Sequence, residues 1–159
     1  MFKGTSASAG IGIGKAVIVE EAELVITRNE VADAEGEIQR FRGALEKTIA
    51  ATQKMADDLA SRVGEKEAEI MQGHMMLLSD PMLTGEIENS VRNDKVNSEF
   101  AIENVCNMYA DMFASMGDEL MQQRATDMRD IKVRMQRTLM GLESVDVSLL
   151  PKGSILVAK

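Results

Sequence analysis

Apolar residues recur every three or four positions through most of the chain, which is the spacing of amphipathic helices. Glycine, proline and asparagine interrupt this pattern and divide it into five segments. In the last segment Leu120, Arg124, Met128, Ile131 and Met135 are in register before a glycine ends it. The predicted helices are Asp33–Arg62, Glu65–Leu78, Asp80–Arg92, one that Asn97 caps and Gly117 closes, and Glu119–Leu139; Gly64 ends the first and Gly141 the last.

The break between the second and third helices is short. Asp80 can cap the helix that follows, and Pro81 at its first turn removes no backbone N–H that the helix needs. The two helices are therefore predicted to form one kinked member of a four-helix bundle, in a mostly α fold.

The two ends of the chain have a different pattern, which is typical of short strands. Strands are predicted at Phe2–Ala7, Lys15–Val19 and Ser154–Ala158, and the run Ala16–Val19 contains the β-branched residues that strands favour. Strands, then helices, then a strand indicate a helical subdomain inserted into an α/β unit. About three strands leave sheet edges uncovered, so the chain resembles part of something larger. The predicted division is 1–30, 31–142 and 143–159.

Composition and charge restrict the possible partners. A chain of 159 residues can bury a core as one ordinary domain or two small interlocked ones. Its net charge of −8 argues against nucleic acid and anionic membrane surfaces and favours a basic partner. No apolar run approaches the roughly 18 residues of a membrane span. A single cysteine excludes an intrachain disulfide, which fits the reducing cytoplasm, where we expect the protein to reside.

The candidate chemistry within the chain is sparse. The glycines at 10, 12 and 14 precede a strand rather than a helix, so they predict a structural turn and no phosphate loop. His74 is the only histidine and lies on an apolar stripe, which favours a packed or interfacial role over catalysis or zinc binding. We therefore expect no catalytic residue, metal or cofactor in this chain.

Two other features suit either a core or a surface for a partner. The chain has 13 methionines, whose flexible side chains fill irregular cores and also adapt to partner surfaces. Arg124 and Asp127 lie one helical turn apart and can form an ion pair, which on a surface would contribute well under about 1 kcal/mol.

Three separated motifs together resemble the N-terminal part of enzyme I, the phosphoenolpyruvate–protein phosphotransferase of the bacterial sugar phosphotransferase system. They are the glycine-rich Gly4–Ala16, the apolar Gly73–Leu83 and the charged Arg124–Ile131. The resemblance implies a four-helix subdomain that binds the histidine-containing phosphocarrier protein, inserted in a truncated α/β phosphohistidine domain. It also implies that the phosphoacceptor histidine lies beyond Lys159, that Mg²⁺ binds a C-terminal domain, and that this domain dimerises.

The resemblance further implies which residues bind the phosphocarrier. By position they are Glu65, Ile70, His74, Met76, Leu77, Asp80, Met82, Leu83, Met108, Met121, Arg124 and Asp127. The chain alone is expected to be inactive as a phosphotransferase. The alternatives are a nitrogen-type or fused paralogue of enzyme I, or a helical adaptor that performs no phosphotransfer.

Overall fold

The computed structural model describes residues 10–19, 23–62, 64–142, 151 and 153–158. The predicted strand at Phe2–Ala7 lies outside these residues. Within them the chain forms strand β1 near its start, then helices α1 to α5, then strand β2. Their bounds are β1 Lys15–Val19, α1 Ala34–Arg62, α2 Glu65–Leu78, α3 Pro81–Asp94, α4 Ser98–Ser115, α5 Glu119–Leu139 and β2 Ser154–Ala158.

Local chemistry explains where the helices begin. The Asp80 carboxylate accepts a hydrogen bond of 2.8 Å from the backbone N–H of Met82, and Pro81 occupies the first position of α3. Gly64 separates α1 from α2 with a φ of 142°, a conformation that glycine adopts without strain. Since only two residues separate α2 from α3, the prediction of a mostly α fold with one kinked helix is confirmed.

The helices enclose one apolar core. Helix α5 packs against α1, α2 and α4, and α3 packs against α1, α2 and α4. Each helix presents one apolar face to this core, as its sequence spacing predicts. The largest fully buried apolar side chains are Ile38, Phe41, Leu78, Leu83, Ile87, Val91, Val96, Ile102, Met128, Ile131 and Met135.

The two strands pair with each other in parallel, although the whole helical segment separates them in sequence. Lys15 is in register with Ser154 and Val19 with Ala158. The backbones approach closely at one end, where a Cβ on Gly14 would lie only 2.0 Å from the carbonyl oxygen of Gly153. The chain divides into two compact units, Leu24–Glu143 and the combination of Met1–Glu23 with Ser144–Lys159.

Candidate functional site

Helix α2 has a glycine where it faces α5. A Cβ on Gly73 would lie 3.0 Å from Nη1 of Arg124 and 3.5 Å from Oδ2 of Asp127. A glycine inside a helix costs about 1 kcal/mol relative to alanine, so its presence indicates a packing requirement. Here the requirement is space for two charged side chains of α5.

Asp127 is an interior carboxylate with partners of different kinds. It is 5% exposed, and its Oδ1 accepts a hydrogen bond of 3.1 Å from Nε2 of Gln123, one turn earlier in α5. Its Oδ2 lies 3.8 Å from Nη1 of Arg124. The Arg124 side chain is half-buried and extends from this carboxylate towards solvent. A buried anion therefore holds a cation that reaches the surface.

His74 faces the same carboxylate from α2. It is 2% exposed, and its Nε2 lies 3.4 Å from Oδ1 of Asp127. Neither ring nitrogen has a hydrogen-bond partner among the described residues. Burial and the charge of Arg134 lower the pKa of His74, while Asp127 and Asp130 oppose them less strongly. The imidazole is therefore neutral at pH 7. We call Gly73, His74, Arg124 and Asp127 the docking cluster.

Large apolar side chains are exposed on α2, α3 and α4. Met76 on α2 is 67% exposed, and Met82 at the start of α3 is 69% exposed. Met108 on α4 is exposed and lines a surface depression together with Glu86 of α3. Burial and the carboxylates of Glu86 and Asp80 raise the pKa of Tyr109 on α4. Large exposed apolar residues on adjoining helices are typical of a protein-binding surface.

The other predicted binding residues are distributed along the same helices. Ile70 is exposed on α2, and Glu65 is exposed at its first residue, about 13 Å along the helix axis from His74. Met121 is half-buried near the start of α5. Asp80 is half-buried, and its carboxylate caps α3.

Four of the predicted binding residues lie in the interior. Leu77 and Leu83 belong to the apolar core, so the structure does not expose them as anchors, and their role in docking stays a prediction. His74 and Asp127 are buried as well, and a partner on the surface would not contact them directly in this conformation. All four lie on predicted helices, but helical spacing does not reveal how deeply the neighbouring helices cover these residues.

Sequence reasoning also missed residues that contribute to this surface. Gly73 was read only as part of a motif, although a helical glycine is itself a signal of close packing. Met112, Met116 and Leu120 fall on apolar stripes, yet all three are exposed. They lie at the end of α4 and the start of α5.

A second polar cluster joins α1, α4 and the later part of α5. Arg40 donates to both carboxylate oxygens of Glu99, and Nδ2 of Asn97 donates to Glu99 at 3.0 Å. Burial alone would raise the pKa of Glu99, but these hydrogen bonds and the charge of Arg40 lower it overall. The carboxylate is therefore ionised and paired.

The same cluster continues one turn further along α4. Nε2 of Gln136 donates to the Glu99 carbonyl at 3.2 Å and to Oε2 of Glu103 at 2.8 Å. Nζ of Lys132 donates to Oε1 of Glu103 at 3.0 Å. Burial would raise the pKa of Glu103, and its hydrogen bonds with Gln136 and Lys132 outweigh that effect and lower it. We call Arg40, Glu99, Glu103, Lys132 and Gln136 the polar network.

The described residues bring together no group of three or more histidine, cysteine, aspartate or glutamate side chains that could hold a metal ion. Among the helices that the structure describes, none is both long enough and apolar enough to cross a membrane.

Comparisons with known proteins agree on one family. Residues 3–124 match the family model described as "PEP-utilising enzyme, N-terminal", where PEP is phosphoenolpyruvate. The chain is 37% identical over 157 residues to a phosphoenolpyruvate-protein phosphotransferase of Listeria monocytogenes, covering 99% of this chain and 27% of the relative. It is 35% identical over 158 residues to the protein of that name in Bacillus subtilis, covering 99% of this chain and 28% of the relative.

Solved structures match as well. A solution NMR structure of enzyme I has a TM-score of 0.93 and 34% identity, and the match covers 100% of this chain and 65% of that one. The N-terminal domain of a nitrogen-type enzyme I has a TM-score of 0.72 and 24% identity, covering 89% and 58%, and it shows the fold alone. This chain spans little more than a quarter of the length of the curated relatives, 27% and 28% for the two named above. The chain therefore belongs to the PEP-utilising enzyme N-terminal family and corresponds to the N-terminal part of enzyme I.

Proposed function

We propose that this chain is the phosphocarrier-docking part of an enzyme I that serves sugar uptake. The observations that carry the proposal are the exposed methionines of α2, α3 and α4 and an arginine of α5 that reaches the surface, in a chain of this family. Met76, Met82 and Met108 would form the apolar centre of the contact, and Arg124 would contribute charge at its edge. Flexible methionines suit such a centre because they adapt to the partner's shape.

The chemistry of the whole protein follows from the family rather than from this chain. Enzyme I would transfer a phosphoryl group from PEP to its own histidine, in a part of the protein beyond Lys159, with Mg²⁺ and dimerisation in a C-terminal domain. It would then pass the phosphoryl group to the histidine-containing phosphocarrier protein in the cytoplasm. The smaller unit with β1 and β2 would belong to the α/β phosphohistidine domain, and the helical unit would hold the carrier.

Binding at this surface would combine two kinds of interaction that salt distinguishes. Apolar burial at the methionines depends little on ionic strength, whereas charge pairs at the edge are screened above a Debye length of about 10 Å at 0.1 M salt. Charge also steers association, so added salt should lower the association rate more than it raises the dissociation rate.

Titration calorimetry with the phosphocarrier from the same organism tests the docking surface. Arg124→Glu should weaken binding by about 2–4 kcal/mol at low salt, which is the range for disrupting a close interfacial charge pair. Met76→Ala should weaken binding by about 1–2 kcal/mol, because the proposed complex would bury this side chain against the carrier.

Two matched variants control for charge and for methionine. Arg129→Glu reverses a charge on the same helix, where Arg129 pairs only loosely with Asp111 at 3.9 Å. Met140→Ala removes an exposed methionine at the far end of α5, about 24 Å along the axis from Arg124. Both should bind as wild type does. If Arg124→Glu also binds like wild type at low salt, the docking surface is misplaced.

The prediction that this chain alone performs no phosphotransfer has a direct test. Incubation with labelled PEP and Mg²⁺ should leave the chain unlabelled, because its one histidine is buried. An acid-labile phosphoryl label on His74 would contradict the proposal. A nitrogen-type paralogue is the second candidate, since a nitrogen-type enzyme I shares the fold. Competition between a sugar-type and a nitrogen-type phosphocarrier for this chain separates the two.

A further inference from the structure

We infer that Gly73 and Asp127 are positioning residues that fix the guanidinium of Arg124 at the docking surface, and that the absence of a side chain at residue 73 determines how strongly the phosphocarrier binds. This inference rests on the proposed function and adds a specificity-determining position on α2.

The first step is the space above Gly73. The Arg124 guanidinium lies against the α2 backbone, where a Cβ on residue 73 would be 3.0 Å from Nη1. Few real Cβ atoms are that close to another heavy atom, so a Cβ at residue 73 would push the guanidinium away by a few tenths of an ångström. The glycine therefore selects one position for this cation.

The second step is the carboxylate that holds the cation there. Arg124 and Asp127 are separated by one turn of α5, and Nη1 lies 3.8 Å from Oδ2. Asp127 is itself fixed, because it is buried and its Oδ1 accepts from Gln123 and faces Nε2 of His74. Its second oxygen is thus directed towards the arginine. A flexible side chain on the surface is restricted by an anchor in the interior.

The third step is that a substitution at Gly73 should move the Arg124 side chain and leave the fold unchanged. The atom nearest to an added Cβ is the far end of a flexible arginine, and Oδ2 of Asp127 at 3.5 Å would be in ordinary contact. Alanine also favours a helix more than glycine does. Gly73→Ala should therefore fold normally while Arg124 moves, so that a loss of binding can be assigned to positioning.

A double-mutant cycle measures this directly. Gly73→Ala should weaken phosphocarrier binding about tenfold in calorimetry. The same substitution introduced into Arg124→Ala should change the affinity less than about twofold, because the side chain that it displaces is already absent. Gly43→Ala on α1 is the matched control, since no atom lies within 4 Å of its added Cβ and binding should not change. The melting temperature of Gly73→Ala should equal or exceed that of wild type.

The outcomes separate this inference from the proposed function. Wild-type affinity in Gly73→Ala, or an equal loss in both backgrounds, would overturn the positioning role even if the docking surface is correct. No effect of Arg124→Ala, or no binding by wild type, would overturn the docking surface.

NMR of the Arg124 side-chain Nε–Hε group then tests positioning without the carrier. A distinct, ordered signal in wild type that is lost or shifted in both Gly73→Ala and Asp127→Asn supports the inference. Identical signals in all three proteins would contradict it.

Discussion

Helix α5 contributes to two polar clusters that are satisfied to very different degrees. In the polar network near its end, Gln136 donates to Glu103 at 2.8 Å and Lys132 donates at 3.0 Å, so interior polar groups have close partners. In the docking cluster near its start, the ion pair of Arg124 with Asp127 is 3.8 Å long. The buried His74 there makes no hydrogen bond to any residue that the structure describes.

The difference indicates what each cluster does. A buried polar group that is fully hydrogen-bonded stabilises a unique arrangement, whereas one without partners carries a cost of about 1–3 kcal/mol. The polar network therefore ties α1, α4 and α5 together. The docking cluster holds Arg124 beside Gly73 and Asp127 with fewer hydrogen bonds, so it should contribute less to stability than the polar network does. The following predictions test whether this division is real.

Removing the central carboxylate of the polar network should have the largest effect. Glu99→Ala leaves Arg40 and Asn97 without their shared acceptor, so the free energy of unfolding should fall by about 2–3 kcal/mol. Chemical denaturation measures this fall, and phosphocarrier binding should not change. Glu46→Ala, which removes an exposed glutamate of α1, should be neutral. Equal stability of the two variants would show that the polar network contributes nothing.

Gln136→Leu removes a hydrogen-bond donor from the polar network while keeping a side chain of similar volume. Gln136 is 1% exposed and donates to two acceptors, so leucine would leave Glu103 and the Glu99 carbonyl short of a donor. The expected loss is about 1–2 kcal/mol. His74→Leu at pH 7.5 is the matched change in the docking cluster, and it should cost less than Gln136→Leu because Nε2 of His74 lies 3.4 Å from Oδ1 of Asp127 without a hydrogen bond. If both leucines cost the same, hydrogen bonding does not distinguish the clusters.

A smaller effect should separate the clusters by pH. The native pKa of His74 is below its ordinary value of 6.5, so well above pH 6.5 neither state binds the proton and stability is complete. As pH falls through 6.5 the unfolded chain takes up a proton that the native imidazole binds more weakly, so the free energy of unfolding should fall. Denaturation curves from pH 7.5 to 5.5 should show this slope in wild type and not in His74→Leu.

The polar network should respond in a different window. The native pKa values of Glu99 and Glu103 are below the ordinary 4.5, so the stability they contribute is present above pH 4.5 and is lost as pH falls below it. A wild-type slope near pH 6 that persists in His74→Leu would contradict the assignment to this residue.

The sequence predicted the helices closely because their ends depend on local chemistry. The Asp80–Pro81 break lies where capping requires it, and α2 and α5 have the predicted bounds. It did not predict the polar network, because Arg40 and Glu99 are 59 residues apart and pair only through packing. Asn97 was expected to cap α4, but its side chain makes no cap hydrogen bond and instead contacts Glu99 and Asn29.

The sequence did not show which of the predicted binding residues are exposed, because exposure also depends on packing. Spacing shows that Leu77 and Leu83 share helices with Met76 and Met82, but burial depends on what the neighbouring helices cover. The structure places the two leucines in the core and leaves the two methionines exposed. A pattern of period 3.6 identifies faces, and only the packed neighbours decide which face is interior.

The parallel pairing of β1 with β2 has a consequence for the order in which the chain acquires its structure during synthesis. Leu24–Glu143 must leave the ribosome after β1 and before β2 exists. The helices pack against one another, so they can fold before β2 has been synthesised. Closing so long a connection is entropically unfavourable for a disordered chain, and a helical unit already folded between the strands shortens it. The strand that is made early is therefore among the last elements to be paired.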